Sequence, residues 1–255
     1  MHLLRPTIWL SPGILIIYGA SLDAAIHKHQ AIQLVWTASG LCKFNNHEIS
    51  GPLIINSQVE HQLHMEMGWV LLVEPKSQLG QQLVERLAGA DAVPIQLDST
   101  IGMAMGKEKP KPEDDPAILL APLINALGLK PIYSGGSPNV SDKRIGKLLN
   151  QLNSCLPGEC LKPTGWKAAD IAAQLAISEG RFLHLFKEQM GIPWRPYLLW
   201  YRLICAINAL VKGSSVTEAA YSAGFSDSAH LSRTFRSLLG MSIRDSQSLF
   251  PKSLS

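Results

Sequence analysis

The chain has 255 residues, of which 46% are hydrophobic and 17% charged, proportions typical of a globular protein with an ample core. Its length predicts about two domains, and no apolar run approaches the ~18 residues of a membrane span, so we expect no membrane contact. Residues 1–159 contain 12 basic and 14 acidic side chains, whereas the remainder contains 11 and 6, which indicates a polyanionic partner for the C-terminal part. The four cysteines show no C-x-x-C pair or zinc spacing, which predicts reduced thiols in a cytoplasmic protein.

Residues 7–100 are predicted to form a β-rich domain. Short apolar or alternating runs (IWL, ILIIYG, IQLVWTASG, PLIIN and GWVLLVEP) are bounded by Pro, Gly, Ser and Asn, as in a small antiparallel sandwich or barrel. Pro12 and Gly13 interrupt the first apolar stretch, so two strands around a turn explain it better than a signal peptide. The spacing becomes helical at 77–89, where Gly89 is the expected end.

A connecting region with two helices is predicted next. The segment GKEKPKPEDD at 106–115 is charged and proline-rich, as in a surface linker. Helical spacing follows at 117–129, despite Pro122, and again at 140–156. We expect these helices to provide a dimerisation surface or a relay between domains. Two prolines and two glycines at 156–165 predict a domain boundary.

The first of two similar C-terminal units lies at 167–191. A short helix at 168–175 is followed by a tight turn and by Ser178, whose hydroxyl can cap a second helix. Apolar residues recur in that helix at i, i+3, i+4 and i+8, which is the spacing of a core-facing side. Gly191 is the expected end of the helix.

The second unit, at 215–240, repeats this plan. Ser215 and Glu218 form a predicted capping box, and Asp227 can cap the following amphipathic helix. Both units therefore follow the helix-turn-helix plan, in which the second helix enters the DNA major groove. A long, mostly apolar helix predicted at 195–213 connects them.

This C-terminal pattern resembles the DNA-binding domain of the AraC-type (arabinose-operon activator) transcription regulators over about residues 165–250. The matching residues are Ser178, Phe186, Gly191, Tyr197, Arg202, Leu203, Ala206, Leu210, Ala219, Ala220, Gly224, Phe225, Asp227, Ser232, Arg233, Phe235, Arg236 and Gly240. Near the end of the domain, Ile243 and Ser246 stand where family members often have Pro and Tyr, a difference that concerns local packing.

The resemblance implies which side chains face the DNA. The base-facing positions correspond to Ala229, His230 and Arg233 in the second unit and to Gly180, Leu183 and His184 in the first. Arg233 can pair bidentately with a guanine, whereas Arg236 and Lys187 are expected to hold phosphates. Because Gly180 has no side chain and His184 is mostly neutral near pH 7, we expect the second unit to carry more of the specificity.

In the N-terminal part, His27 and His29 form an H-x-H pair that is followed by Gln33 and later by His61. This arrangement looks like the two-motif cupin barrel, which is also the usual sensor domain of AraC-type regulators. In cupin enzymes the H-x-H pair, a carboxylate and a later histidine bind a metal. Gln33 replaces the usual Glu, so we expect neither a metal nor another cofactor. The four side chains are candidates for an effector pocket, for a weak metal site or for structural roles.

Other N-terminal side chains are further candidates for this pocket. Tyr18, Trp36 and Trp69 are aromatic residues on predicted strands, which can line a pocket or fill a core. His61 and His64 are expected to share a helical face or to lie in a loop.

The predicted fold is an α+β two-domain structure. An N-terminal cupin-like antiparallel β-barrel (residues 1–100) acts as the sensor domain, and residues 101–159 form a linker with amphipathic helices for dimerisation. An all-α AraC-type domain (residues 160–255) contains two helix-turn-helix units joined by a long helix.

The predicted function is a cytoplasmic transcription regulator of the activator type, not an enzyme. It is expected to bind double-stranded DNA sequence-specifically, to respond to an unknown small-molecule effector, to form a homodimer and to contact RNA polymerase. One alternative is a metal-dependent cupin enzyme with an accessory DNA-binding tail, which would use His27, His29, Gln33 and His61 as ligands. Another is an architectural DNA-binding protein with little sequence preference, which would show a steep salt dependence.

Overall fold

The computed structural model describes residues 7–11, 13–19, 22–96, 110–130, 140–153 and 166–246. An antiparallel sheet with helices on its faces is followed by a C-terminal helical domain, which confirms the predicted two-domain α+β class. The predicted domain boundary between residues 156 and 165 lies outside the described residues. Within the described ranges, no helix is both long and apolar enough to cross a membrane.

The N-terminal domain is built on one sheet, in which the described strands pair in the order β1-β2-β7-β4-β6-β8. Strand β3 also pairs with β7, and β5 with β4. The strands are β1 (Thr7–Ser11), β2 (Ile14–Tyr18), β3 (Leu22–His27), β4 (Ile32–Phe44), β5 (His47–Glu48), β6 (Leu53–Ile55), β7 (His61–Val73) and β8 (Ala92–Pro94). The two 13-residue strands β4 and β7 are partners over most of their length and form the centre of the sheet.

Both faces of the sheet are covered. All five residues of β2 are buried, because Ile14, Ile16 and Tyr18 enter one core while Leu15 and Ile17 enter another. A strand that is buried on both faces is a continuous apolar run rather than an alternating one. The first core lies under helices α1 (Gln78–Leu87) and α2 (Pro116–Ala126), and the second lies against the C-terminal domain.

The helices that follow the sheet place their apolar residues inside these cores. Ser77 caps α1 by accepting a hydrogen bond from Gly80, and Asp115 caps α2. The third helix, α3 (Lys143–Asn153), buries Ile145, Leu148, Leu149 and Leu152. These leucine and isoleucine side chains belong to the core that contains the C-terminal helices. The apolar side of α3 is therefore covered within the chain itself.

The C-terminal domain contains the two predicted units. Its helices are α4 (Ala168–Gln174), α5 (Glu179–Met190), α6 (Trp194–Val211), α7 (Val216–Ser222) and α8 (Ser228–Leu239). The predicted caps are confirmed: Ser178 accepts from the backbone of α5, Asp227 accepts from that of α8, and Ser215 and Glu218 form a capping box. Helix α6 lies between the units, and its Trp194 and Tyr197 rings pack edge-on against Phe186 of α5.

Besides the shared core, two hydrogen bonds among the described residues join the sheet to the C-terminal domain. The backbone amide of Ala25 on β3 donates to the carbonyl of Gly240, the residue that ends α8, at 2.9 Å. At the end of β7, Glu74 accepts a hydrogen bond from Tyr197 of α6. The Oε1 atom of Glu74 is out of contact with solvent and has no hydrogen-bond partner. Burial raises the pKa of this carboxyl from 4.5 to about 7.

The structure corrects the prediction for residues 61–67. His61 and His64 lie on β7, not on a helix or in a loop, and β7 pairs here with β3. The strand expected to contain both His27 and His29 ends at His27. The register of β7 against β4 is irregular near Gly68. The buried positions facing the C-terminal domain therefore change from odd numbers before this point to even numbers after it. This change obscured the strand in the sequence, because strands are recognised by unbroken alternation.

Substitution of Gly240 tests the contact between β3 and α8. An added Cβ would lie 2.4 Å from the Ala25 carbonyl oxygen and 2.6 Å from Nδ1 of His27, and the φ angle is +71°. Gly191 ends α5 with a φ of +77° but has no atom within 4 Å of its added Cβ, so it is a matched control. We expect Gly191→Ala to cost about 1 kcal/mol and Gly240→Ala a further ~1–3 kcal/mol, measured by urea unfolding. Equal losses would show that the contact with β3 is dispensable.

The Glu74 carboxyl predicts a pH-dependent stability. Its folded pKa is raised, so ionisation is harder in the folded state, and stability is lost as pH rises from 4.5 to about 7. Glu74→Gln removes this loss, and we expect its advantage over wild type to grow by up to about 1.4 kcal/mol per pH unit in that range. Tyr197→Phe removes the donor and should extend the loss to higher pH. Thermal unfolding from pH 4 to 8 measures the difference, and a pH-independent difference contradicts the prediction.

Candidate DNA interface and effector site

Helix α8 presents a polar face to solvent. Asp227 caps its start, accepting from the amide of His230 at 2.6 Å, and Leu231 and Phe235 anchor its other side in the core. The exposed side chains of the polar face are Ala229, Arg233, Arg236 and Ser237. Arg233 lies four residues from both Ala229 and Ser237 and thus at the centre of this face.

His230 is held more tightly than its neighbours on this face. Its ring packs edge-on against Phe225, with the ring centroids 5.1 Å apart. Its Nδ1 atom lies 3.1 Å from the hydroxyl of Ser226. The ring is therefore half-buried and fixed in orientation, and only part of it is available to a ligand.

Helix α5 exposes a corresponding face with fewer available side chains. Gly180, His184 and Lys187 are exposed, but Leu183 is half-buried and packs against the core of the domain. The structure also places an exposed arginine, Arg181, beside this face, and sequence reasoning did not single it out. The sequence contained one signal that could have pointed to Arg181. None of the three base-facing positions of this unit is an arginine or lysine, although the rest of the unit matches the family pattern.

Three histidines of the N-terminal domain form a buried cluster near the C-terminal domain. His27 ends β3, His29 follows in the next loop, and His61 begins β7. Their exposed fractions are 7%, 2% and 1%. One ring nitrogen of each lies within 4.8 Å of the others. The structure thus brings together the histidines of the predicted H-x-H pair and the later His61.

Burial favours the neutral form of the imidazoles in this cluster. Burial, followed by the neighbouring His61, lowers the pKa of His27 to about 4 and that of His29 to about 3, and burial also lowers the pKa of His61. The Nδ1 atoms of His27, His29 and His61 lie 2.8, 3.0 and 2.9 Å, respectively, from the backbone carbonyl oxygen of the residue two positions away. Because a carbonyl only accepts, each Nδ1 carries the hydrogen, and each Nε2 is left with a lone pair.

Gln33 connects two of these rings. The amide atom placed as Oε1 lies 3.0 Å from Nε2 of His29 and 2.9 Å from Nε2 of His61. A carbonyl oxygen and two lone pairs cannot satisfy one another. A half-turn of the amide places its NH2 group there, and the two hydrogens then serve the two rings.

A cavity lies between the sheet and the C-terminal domain, beside this cluster. Its volume is about 50 Å³, and it is partly open to solvent. Its polar lining consists of His27, His29 and Gln33. The apolar lining is provided by Ile8, Leu15, Ile17, Leu22, Ala24, Leu63, Val70 and Leu72 of the sheet and by Ile207, Phe235, Leu239 and Met241 of the C-terminal domain.

The aromatic residues predicted as pocket candidates lie elsewhere. Tyr18, Trp36 and Trp69 belong to the core on the opposite face of the sheet, under α1 and α2. The Trp69 ring is 4.6 Å from that of Tyr18 and 5.9 Å from that of Trp9. They therefore act as core residues and do not line the cavity.

Comparison with known proteins identifies the C-terminal domain. A family model described as a helix-turn-helix domain matches residues 171–247. An uncharacterised helix-turn-helix regulator of Escherichia coli, YidL, is 32% identical over 110 residues, which are 43% of this chain and 35% of YidL. The activator RhaS of Salmonella arizonae is 37% identical over 98 residues, 38% of this chain and 34% of RhaS. The chain therefore matches about a third of the length of these curated relatives.

Solved structures resemble the whole chain. An apo form of ToxT from Vibrio cholerae superimposes with a TM-score of 0.56 at 15% identity, covering 94% of this chain and 98% of ToxT. A ToxT structure with an unsaturated fatty acid bound has a TM-score of 0.52 at 14% identity and covers 96% of both chains. At this identity the likeness concerns the fold. Together, these comparisons confirm the predicted resemblance to AraC-type regulators over the C-terminal domain and show that the two-domain fold is shared with ToxT.

Proposed function

We propose that this protein is a sequence-reading transcription regulator, not an enzyme, and that a small molecule controls it. The observation that carries the proposal is the pair of capped helices α5 and α8, held by α6, with their polar faces exposed. In helix-turn-helix domains the second helix of each unit lies in the major groove. The family match over residues 171–247 includes both α5 and α8 and supports this assignment.

The two units are proposed to contribute unequally. Arg233, at the centre of the α8 face, can donate two hydrogen bonds to a guanine. Arg236 and Lys187 would contact phosphates, which position the domain without reading sequence. On α5, the partial burial of Leu183 leaves few side chains for base contacts and supports a smaller role for the first unit.

The effector is proposed to be a small molecule with a largely apolar body. The cavity between the sheet and α8 is lined mainly by apolar side chains, which suit such a ligand. Because its volume is about 50 Å³, ligand entry would have to move the sheet and the C-terminal domain apart. Structures of ToxT contain an unsaturated fatty acid and a naphthalenyl butenoic acid, both of which combine an apolar body with an acid group. Phe235 and Leu239 belong to both the cavity and α8, so a ligand there would shift the populated positions of that helix.

The proposed partners follow from this activity. Double-stranded DNA is the primary partner, and activation would require contact with RNA polymerase in the cytoplasm. A homodimer would engage two half-sites, since dimers of helix-turn-helix domains place their recognition helices in successive turns of the groove.

Selection of bound fragments from sheared genomic DNA at near-physiological salt tests the DNA-reading proposal. We expect wild type to enrich a sequence motif and Arg233→Ala to relax one position of it, a loss worth ~1–3 kcal/mol of discrimination. Arg236→Ala is the matched control, which should weaken binding uniformly and reduce the salt slope by about 1. Retention of fragments without any motif would favour the architectural alternative.

Filling the cavity tests the effector proposal, with oleic acid as the probe. Ala24 lines the cavity, whereas the side chain of the neighbouring Ala25 is exposed, so Ala24→Leu is the test and Ala25→Leu the control. We expect oleic acid to raise the unfolding temperature of wild type and of Ala25→Leu but not that of Ala24→Leu, because ligand binding to the folded state stabilises it. The same response in all three proteins would place the ligand elsewhere.

A further inference from the structure

The histidine cluster has the donor arrangement of a metal site. In each of His27, His29 and His61, the Nδ1 hydrogen is given to a backbone carbonyl, which fixes the tautomer and the orientation of the ring. Metal-binding histidines are usually fixed in this way, with the free nitrogen turned toward the ion. In contrast to the expectation from the sequence, we propose that these three side chains bind a divalent transition-metal ion and that its binding acts on helix α8.

The geometry requires only a small closure of the cluster. A tetrahedral ion with bonds of ~2.0–2.1 Å to imidazole nitrogens separates them by about 3.4 Å. One ring nitrogen of each histidine already lies within 4.8 Å of a ring nitrogen of each of the other two. Rotation of the side chains on the ends of β3 and β7 covers this difference, since His27 and His61 are terminal residues of their strands.

The ligand set selects the class of ion. Among the described residues, no carboxylate or thiol belongs to the cluster. Imidazole nitrogens suit zinc, nickel, copper and cobalt, whereas magnesium and calcium require oxygen ligands. Gln33 can supply one amide oxygen as a further ligand.

Gln33 then has one role in the empty cluster and another when an ion is bound. Without an ion, its NH2 group donates to His29 and His61, whose lone pairs would otherwise be unsatisfied in a buried position. With an ion, the rings direct those lone pairs at the metal, and a half-turn of the amide presents its oxygen instead. The side chain therefore stabilises the empty cluster without blocking the site.

The chemistry of the cluster also disfavours an anion as its direct ligand. Three neutral rings whose Nδ1 hydrogens are already used offer lone pairs and no free donors. The carboxylate of an acid effector would meet acceptors at this end of the cavity. A bound cation would reverse that polarity and provide a positive charge beside the apolar cavity.

The cluster touches the DNA-binding domain at two places. His27 lies beside Gly240, where an added Cβ would be only 2.6 Å from its Nδ1. The His29 ring is 5.7 Å from that of Trp200 on α6. Closure of the rings around an ion would therefore move side chains that contact the end of α8 and the helix between the two units. This coupling to DNA binding rests on the function proposed above, whereas metal binding itself does not.

Calorimetric titration of the full, untagged and chelator-treated chain with Zn²⁺ tests the site. We expect one ion per chain, an affinity at least 100-fold lower in His29→Ala and His61→Ala, and no binding of Mg²⁺. His64→Ala is the matched control, because His64 lies on the same strand but is exposed and pairs with Asp23. Gln33→Glu adds an anionic ligand and should raise the affinity at least 10-fold, a gain that a misfolded variant cannot produce.

The absorption spectrum of the Co²⁺-loaded protein gives a second readout, in which we expect d–d bands of nitrogen and oxygen ligands without thiolate charge transfer. The site is refuted if wild type binds no Zn²⁺, if binding survives both histidine substitutions, or if Gln33→Glu leaves the affinity unchanged.

DNA affinity, measured with and without Zn²⁺ on a fragment enriched by wild type, tests the coupling. We expect Zn²⁺ to change the DNA affinity of wild type but not that of His61→Ala. An unchanged DNA affinity of wild type refutes the coupling. Zn²⁺ binding by a chain that enriches no DNA motif would refute the regulatory function but leave the metal site standing.

Discussion

The packing of the C-terminal domain directly on one face of the sheet determines how the rest of the molecule is arranged. Gly240 ends α8 in a left-handed conformation and at the same time accepts a hydrogen bond from β3 at 2.9 Å. A residue with a side chain would have to separate the two, because the β3 backbone occupies the place of its Cβ. The orientation of α8 is therefore tied to the strand that ends in the histidine cluster.

The two faces of the sheet differ in how completely they are filled. Under α1 and α2, Trp9, Tyr18 and Trp69 pack against one another in a closed core. The face toward α6 and α8 contains the cavity and the buried polar groups. Regions with unfilled space and incompletely satisfied polar groups are the ones that ligands can reorganise, because dense apolar packing resists small displacements. The sheet thus combines a rigid support on one side with an adaptable contact on the other.

Polar groups at this contact can each take up a further proton or ion. Glu74 has an unpartnered carboxylate oxygen at the contact with Tyr197, and the neutral histidines rely on a single amide for two hydrogen bonds. The unpartnered oxygen of Glu74 costs stability, since buried polar groups are normally fully paired, whereas the histidines are paired through Gln33. A proton at Glu74 would relieve that cost, and an ion at the cluster would replace the amide as the partner of the rings, which gives the domain contact two chemical inputs.

The sequence by itself determined the local structure and the C-terminal domain. Capping residues such as Ser178 and Asp227, and the glycines that end α5 and α8, act within a few residues of chain, so their effects can be recognised without knowing the fold. Only the tertiary structure decided that Tyr18, Trp36 and Trp69 lie on the closed face, that His61 begins a strand beside His27, and that α3 is covered. These features depend on strand register and on which element covers which face. Both are set by contacts between residues far apart in the chain, and no local periodicity encodes them.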